Sequence, residues 1–176
     1  VYLQTEPGES CIIKTFKGRN QGEIYSYYKK TTDPIPVEND WQVKFISGGP
    51  VRPESKQLTK VVPWTDFEGS DYKSLSGTAR YSVRFDKPAG SASDWLFFLG
   101  DVHESATVIL NGKKIATLYT HPFQTVLSAD QLKKNNNKLE IDVSNPLLQT
   151  GNCLFALLVD VFCHALTVAI GNDDFF

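Results

Sequence analysis

Apolar residues fall on every second position in one segment after another of this 176-residue chain. In Trp41–Phe45 they are Trp41, Val43 and Phe45; in Ala79–Phe85 they are Ala79, Tyr81, Val83 and Phe85. Side chains of an extended strand alternate between its faces, so a period of two gives each strand one face for a core and one for water. Asp94–Leu99 is instead almost continuously apolar, as in a strand covered on both sides. Ala106–Leu110 and Lys114–Leu118 flank Asn111-Gly112-Lys113, and an Asn-Gly pair between two strands predicts a hairpin turn with positive φ at both positions. Phe123–Leu127 and Lys138–Val143 supply further strands, and Ser128–Lys134 between them predicts a single helical turn capped by Ser128. Seven or eight short strands with turn signals between them describe an all-β sandwich or barrel.

Two stretches break the pattern. From Gly48 to Gly77 the chain is poor in strand signals and contains Pro50, Pro53, Pro63 and Trp64. A connection this long is functional or wraps an edge, and a Trp exposed on it would be informative. Cys153–Ile170 is an apolar run long enough to reach the threshold for a membrane span, yet it contains Asp160 and His164. An Asp at a bilayer centre costs about 3 kcal/mol. Three readings compete for it: a span, a buried helix or strand pair, or a segment foreign to the fold.

Composition removes several functions. Lys and Arg total 18 against 20 Asp and Glu, a net charge of −2, which lacks the basic surface that nucleic-acid binding needs. The 3 cysteines, Cys11, Cys153 and Cys163, show no C-x-x-C spacing, so neither a zinc knuckle nor a redox motif is expected. With 0 Met and no leader segment, the chain reads as a processed form or a piece of something longer.

Catalytic constellations are equally sparse. His103 and Glu104 are neighbours on one strand and point to opposite faces; His121 precedes Pro122; His164 sits in the apolar run. No metal-binding H-E-x-x-H occurs, and Ser74-Leu-Ser-Gly77 lacks the first glycine of a nucleophile elbow. Gly48-Gly-Pro50 is too short to cradle a phosphate. Asp94, Asp101, Glu104 and Asp142 are carboxylates of the type a glycosidase pairs, but spacing alone defines no pair. What remains is aromatic and amide side chains on a β scaffold. Aromatic faces stack on the C–H face of a pyranose while amides and carboxylates hold its hydroxyls. Trp41 and Trp95 lie within apolar strands and read as core. Trp64, Tyr72 and Tyr119 lie nearer loops, and with His121 they are the carbohydrate-binding candidates.

An ordered set of segments carries a resemblance. Trp41–Pro50, Val62-Pro-Trp-Thr65, Ser76–Tyr81, Leu99–Val108, Leu110-Asn-Gly112, Pro122-Phe123 and Asn137–Asn145 resemble the galactose-binding-like sandwich attached to large bacterial glycoside hydrolases. The order is similar to the sugar-binding domain of family 2 enzymes, and most similar to the C-terminal region of family 106 α-L-rhamnosidase-like proteins. The resemblance implies a jelly-roll-like β-sandwich over residues 1–145. It also implies a non-catalytic carbohydrate-binding or scaffolding module of a secreted enzyme acting on plant polysaccharide, outside the bacterial cell or in its periplasm. The implied partners are carbohydrate and the parent enzyme's catalytic barrel, with no membrane or nucleic acid. No catalytic residue carries over, because in that family the catalytic carboxylates lie in the barrel. No cofactor is implied, although the shape allows a structural calcium without defining its ligands. Two alternatives stay open: a purely structural interdomain module, and a fragment contributing to a glycosidase active site. Residues 146–176 depart from the resemblance, as a shifted reading frame or a misjoined fragment would.

Overall fold

The alternating segments become strands whose apolar faces meet between two antiparallel sheets. The computed structural model describes residues 3–5, 7–8, 10–18, 26–37, 40–90, 92–100, 102 and 105–145, and the backbone of 162–170. One sheet has five strands: β1 (Ser26–Lys30), β11 (Phe162–Ile170), β6 (Asp94–Phe98) and β9 (Gln124–Ser128) in that order, with β2 (Ile35–Pro36) also on β11. The other has six, in the order β4 (Lys56–Leu58), β3 (Trp41–Gly49), β5 (Ser76–Phe85), β10 (Asn137–Asn145), β7 (Ser105–Leu110) and β8 (Lys113–Leu118). This is the jelly-roll-like β-sandwich that the sequence predicts.

The inner faces follow the period of two. Trp41, Tyr81 and Ile141 of the six-stranded sheet and Trp95, Phe97 and Leu127 of the five-stranded sheet are each at most 1% exposed. Burying a side chain of this size stabilises the fold by about 1.5–3 kcal/mol relative to leaving it in water. On β6, Leu96 is buried together with Trp95 and Phe97, as expected of a strand covered on both faces. β11 lies between β1 and β6, so the apolar run supplies a strand. Among the described residues no helix is long and apolar enough to cross a membrane.

Local chemistry fixes the turns. Asn111 and Gly112 have φ of 53° and 83°, the left-handed pair that a two-residue hairpin turn needs. Gly48 and Gly77 face each other where β3 bulges against β5, and a Cβ on either would overlap the other's backbone. Ser128–Lys134 departs from the predicted helical turn. Gln131 N donates to Ser128 O and Ser128 N donates to Gln131 Oε1, both at 3.0 Å, which closes a β-turn. Helix does not propagate because the fully buried Asn137 side chain takes both backbone groups of Lys133, accepting from its N–H and donating to its carbonyl at 2.8 Å each. Asn137 Oδ1 also accepts from Asn111 Nδ2 at 3.1 Å, tying this loop to the hairpin turn.

Candidate functional site

The polar half of the alternation covers the outer face of the six-stranded sheet. Strand register lines its side chains into rows. Gln57 of β4 is paired with Gln42 of β3, Gln42 with Ser82 of β5, and Ser82 with Glu140 of β10. One row further along, Lys44 is opposite Arg80, Arg80 opposite Asp142, and Asp142 opposite Thr107. In the other direction Arg84 is opposite Lys138. Adjacent strands lie about 4.8 Å apart, so four strands present hydrogen-bonding groups at regular intervals.

Charges on this face are held in place. Arg80 grips Asp142 with two parallel bonds, Nε to Oδ1 at 2.6 Å and Nη2 to Oδ2 at 2.8 Å. Its Nη1 reaches Glu140 Oε1 at 3.4 Å, and Lys138 Nζ reaches the same oxygen at 2.8 Å. Glu140 is buried although it takes an outward position in the alternation of β10. A buried carboxylate is tolerated only when paired, and here it has two partners. The hydrogen bond to Asp142 raises the Arg80 pKa further above its ordinary value, so the guanidinium stays charged.

Beside this network runs an open groove of about 790 Å³ lined by Asp40, Gln42, Gln57, Ser82, Arg84 and Lys138, with Val83. Amides, a hydroxyl, a carboxylate and two cations converge there, and none of the lining residues is aromatic. Arg84 Nη1 donates to Asn136 Oδ1 at 2.8 Å.

The four residues singled out in the sequence lie elsewhere, in two pairs. Trp64 is only 6% exposed: it sits on the 3₁₀ turn Trp64–Asp66 with its ring edge-on to Phe45, centroids 6.3 Å apart. The expectation of an exposed stacking surface there is corrected. The long connection lets the indole join the buried cluster with Phe45 and Phe67, which removes its large apolar surface from water. Tyr72, on the short helix Ser70–Ser74, packs on Phe45 and Phe67 at 5.6 and 5.3 Å, with Lys56 Nζ over its ring at 4.8 Å. That ring is a half-buried part of the same aromatic cluster. Tyr119 is 75% exposed and His121 is exposed, both on the connection between β8 and β9; the His121 ring meets Phe123 edge-on at 4.7 Å. Asp101, His103, Glu104, Cys153 and Asp160 lie outside the described residues, as do the side chains of Cys163 and His164. Among the described residues no three His, Cys, Asp or Glu side chains group as metal ligands.

The groove residues are single polar residues on separate strands, and no local motif marks them. Their signal was present as the polar positions between core positions: Gln42 and Lys44, Ser82 and Arg84, Lys138 and Glu140.

Comparison with known proteins bears on the fold. The rhamnosidase of Novosphingobium sp. PP1Y superposes with a TM-score of 0.63 at 22% identity, over 85% of this chain and 16% of that one. The sandwich is thus a domain fold of glycoside hydrolases. A GH2 β-galacturonidase from Eisenbergiella tayi matches 81% of this chain and 24% of its own, with a TM-score of 0.52 at 18% identity. A Formosa agariphila protein named "Putative beta-glucuronidase" is 34% identical over 120 residues, 66% of this chain. The chain spans about a tenth of the length of that curated relative. No family model matches the chain.

Proposed function

We propose that this chain is a non-catalytic β-sandwich module of a larger glycoside hydrolase, and that the groove on its six-stranded sheet holds carbohydrate. The observation that carries this reading is the cross-strand row Gln57–Gln42–Ser82 lining an open groove. Side-chain amides and a hydroxyl both donate and accept, which is what a sugar's hydroxyls require. The small share of each hydrolase that this fold occupies supports a module whose bond-breaking groups come from other polypeptide. On the same reading the module works outside the cell or in the periplasm, beside the parent's catalytic barrel.

Titration of the chain with a panel of plant-derived oligosaccharides, followed by backbone amide NMR, tests it. Shifts should cluster on β3, β4 and β5, and Gln42→Ala should weaken binding by about tenfold, the loss expected for one or two hydrogen bonds. Shifts confined to the β8–β9 connection would move the site to Tyr119 and His121.

A specific observation favours a second reading, a structural interdomain module. Ile12 is 100% exposed, Ile13 59% and Phe16 54%, on a stretch outside either sheet. A run of exposed apolar side chains marks a contact surface. A flat titration, combined with hydrogen-exchange protection of residues 10–18 in the intact parent protein, would favour that reading over the first.

A further inference from the structure

We propose that the hairpin turn Asn111-Gly112 is a covalent modification site that the folded chain locks, that unfolding opens, and whose modified form the fold refuses to take back. This goes beyond the carbohydrate-binding reading and does not depend on it.

The chemistry is the deamidation of asparagine by its own main chain. The deprotonated nitrogen of Gly112 attacks Asn111 Cγ, a C–N bond forms, and Nδ2 takes up protons and leaves as ammonia. Water then opens the cyclic imide at one carbonyl to give aspartate, or at the other to give isoaspartate, whose main chain is longer by a methylene. A following glycine favours the attack because no side chain obstructs its nitrogen. Asn111-Gly112 is the sole Asn-Gly pair in the sequence.

In the folded chain the leaving nitrogen is held. Asn111 Nδ2 donates to Asn137 Oδ1 at 3.1 Å and to Gln131 O at 3.5 Å, while Oδ1 accepts from Lys138 N at 3.0 Å. The main chain is tied as well, since Asn111 N donates to Lys138 O at 2.8 Å. Ammonia departs only when the bonds of Nδ2 to β10 and to the β9–β10 connection are given up. A domain of ordinary stability is unfolded about one part in a thousand of the time or less, and the reaction is slowed in proportion.

The product meets a second barrier. Asn137 is fully buried and its amide cannot turn over, because Oδ1 accepts from Lys133 N and Nδ2 donates to Lys133 O, at 2.8 Å each. An aspartate in place of Asn111 would set a carboxylate oxygen where Nδ2 stood, against two acceptors, Asn137 Oδ1 and Gln131 O, at a half-buried position. Isoaspartate would lengthen the turn between Leu110 and Lys113, which are paired across the end of the hairpin.

The test holds the full chain at mildly alkaline pH, in buffer and in unfolding urea, and follows Asn111 by peptide mass spectrometry. Conversion should run about a hundredfold or more slower in buffer. Similar rates in the two arms would overturn the lock, and no conversion in urea would overturn the site. Chains aged in urea and returned to buffer test the refusal: both products should be depleted from the refolded fraction and collect in the fraction that stays unfolded or aggregates. Asn111→Asp should lower the melting temperature by about 5 °C or more. Asn111→Gly, which allows positive φ and cannot deamidate, should lower it by less. Modified chains that refold to the native melting temperature, or an Asn111→Asp variant as stable as Asn111→Gly, would overturn the refusal. If Asn111→Asp fails to fold while Asn111→Gly folds, the carboxylate is the cause and the proposal stands; failure of both would place the loss in the missing amide bonds and overturn the clash of acceptors.

Discussion

The two connections that carry the exposed-looking aromatics do opposite things with them. From Pro50 to Leu75 the chain wraps the β4 edge and turns its rings inward: Trp64 and Phe67 are buried, and Tyr72 lies against Phe45 under the Lys56 ammonium. Between β8 and β9 the chain needs only a few residues, and Tyr119 stays in water. A long connection has enough chain to fold back and bury several rings at an edge, whereas the short one buries only Phe123, next to β9, and leaves Tyr119 and His121 exposed. An aromatic residue on a loop is therefore not by itself a binding residue. Its meaning depends on whether the loop is long enough to bury it.

Three substitutions sharpen this contrast, the first with the largest expected effect. Trp64→Ala should destabilise the chain by about 3–5 kcal/mol, the range for deleting a buried aromatic side chain, seen as a lower denaturant midpoint. A loss below 1 kcal/mol would mean that the connection is not part of the core. Tyr81→Phe probes the tie between this connection and the sheet, since the Tyr81 hydroxyl donates to Val62 O at 3.2 Å. Removing it should cost about 1 kcal/mol near neutral pH. Burial raises the Tyr81 pKa well above its ordinary value, outweighing a backbone hydrogen bond from Trp64 that lowers it. The folded state therefore keeps this proton after the unfolded chain has lost it. The resulting contribution is complete below the unfolded Tyr value of about 10 and declines as pH rises above it, by up to about 1.4 kcal/mol per unit. Denaturant titrations of the native chain above that pH should show this decline, and Tyr81→Phe should show less of it. Tyr119→Ala should be smallest, within about 0.5 kcal/mol of the native chain. A larger loss would show that the Tyr119 ring packs as well.

Much of the fold was legible in the sequence because burial and alternation are local. The inward set Trp41, Val43, Phe45, Ala79, Tyr81, Val83 and Phe85 is what the period of two names. Asn111-Gly112 announces its turn because left-handed φ at two successive residues admits few other pairs. The predicted helical turn at Ser128–Lys134 failed for a non-local reason. Asn137, fully buried beside the hairpin turn, takes the backbone groups of Lys133, and nothing within the turn's own residues reveals that partner.

The candidate site was less legible. Residue type and nearness to a loop single out Trp64 and Tyr72, and the structure buries Trp64 in the core and leaves Tyr72 half-buried against it. The groove uses Gln57, Gln42, Ser82, Arg84 and Lys138, which come from four separate strands. Each is an unremarkable polar residue at an outward position. Only strand order and register, β4-β3-β5-β10, place them side by side.

The sequence by itself determined that this chain is a stack of sheets with a named inner face, because hydrophobic burial acts on each strand separately through its own alternation. Tertiary structure alone decided which outward residues are neighbours and which loop aromatics are core. Both depend on which strands pair and on how far a connection folds back, and those are properties of contacts between residues distant in the chain.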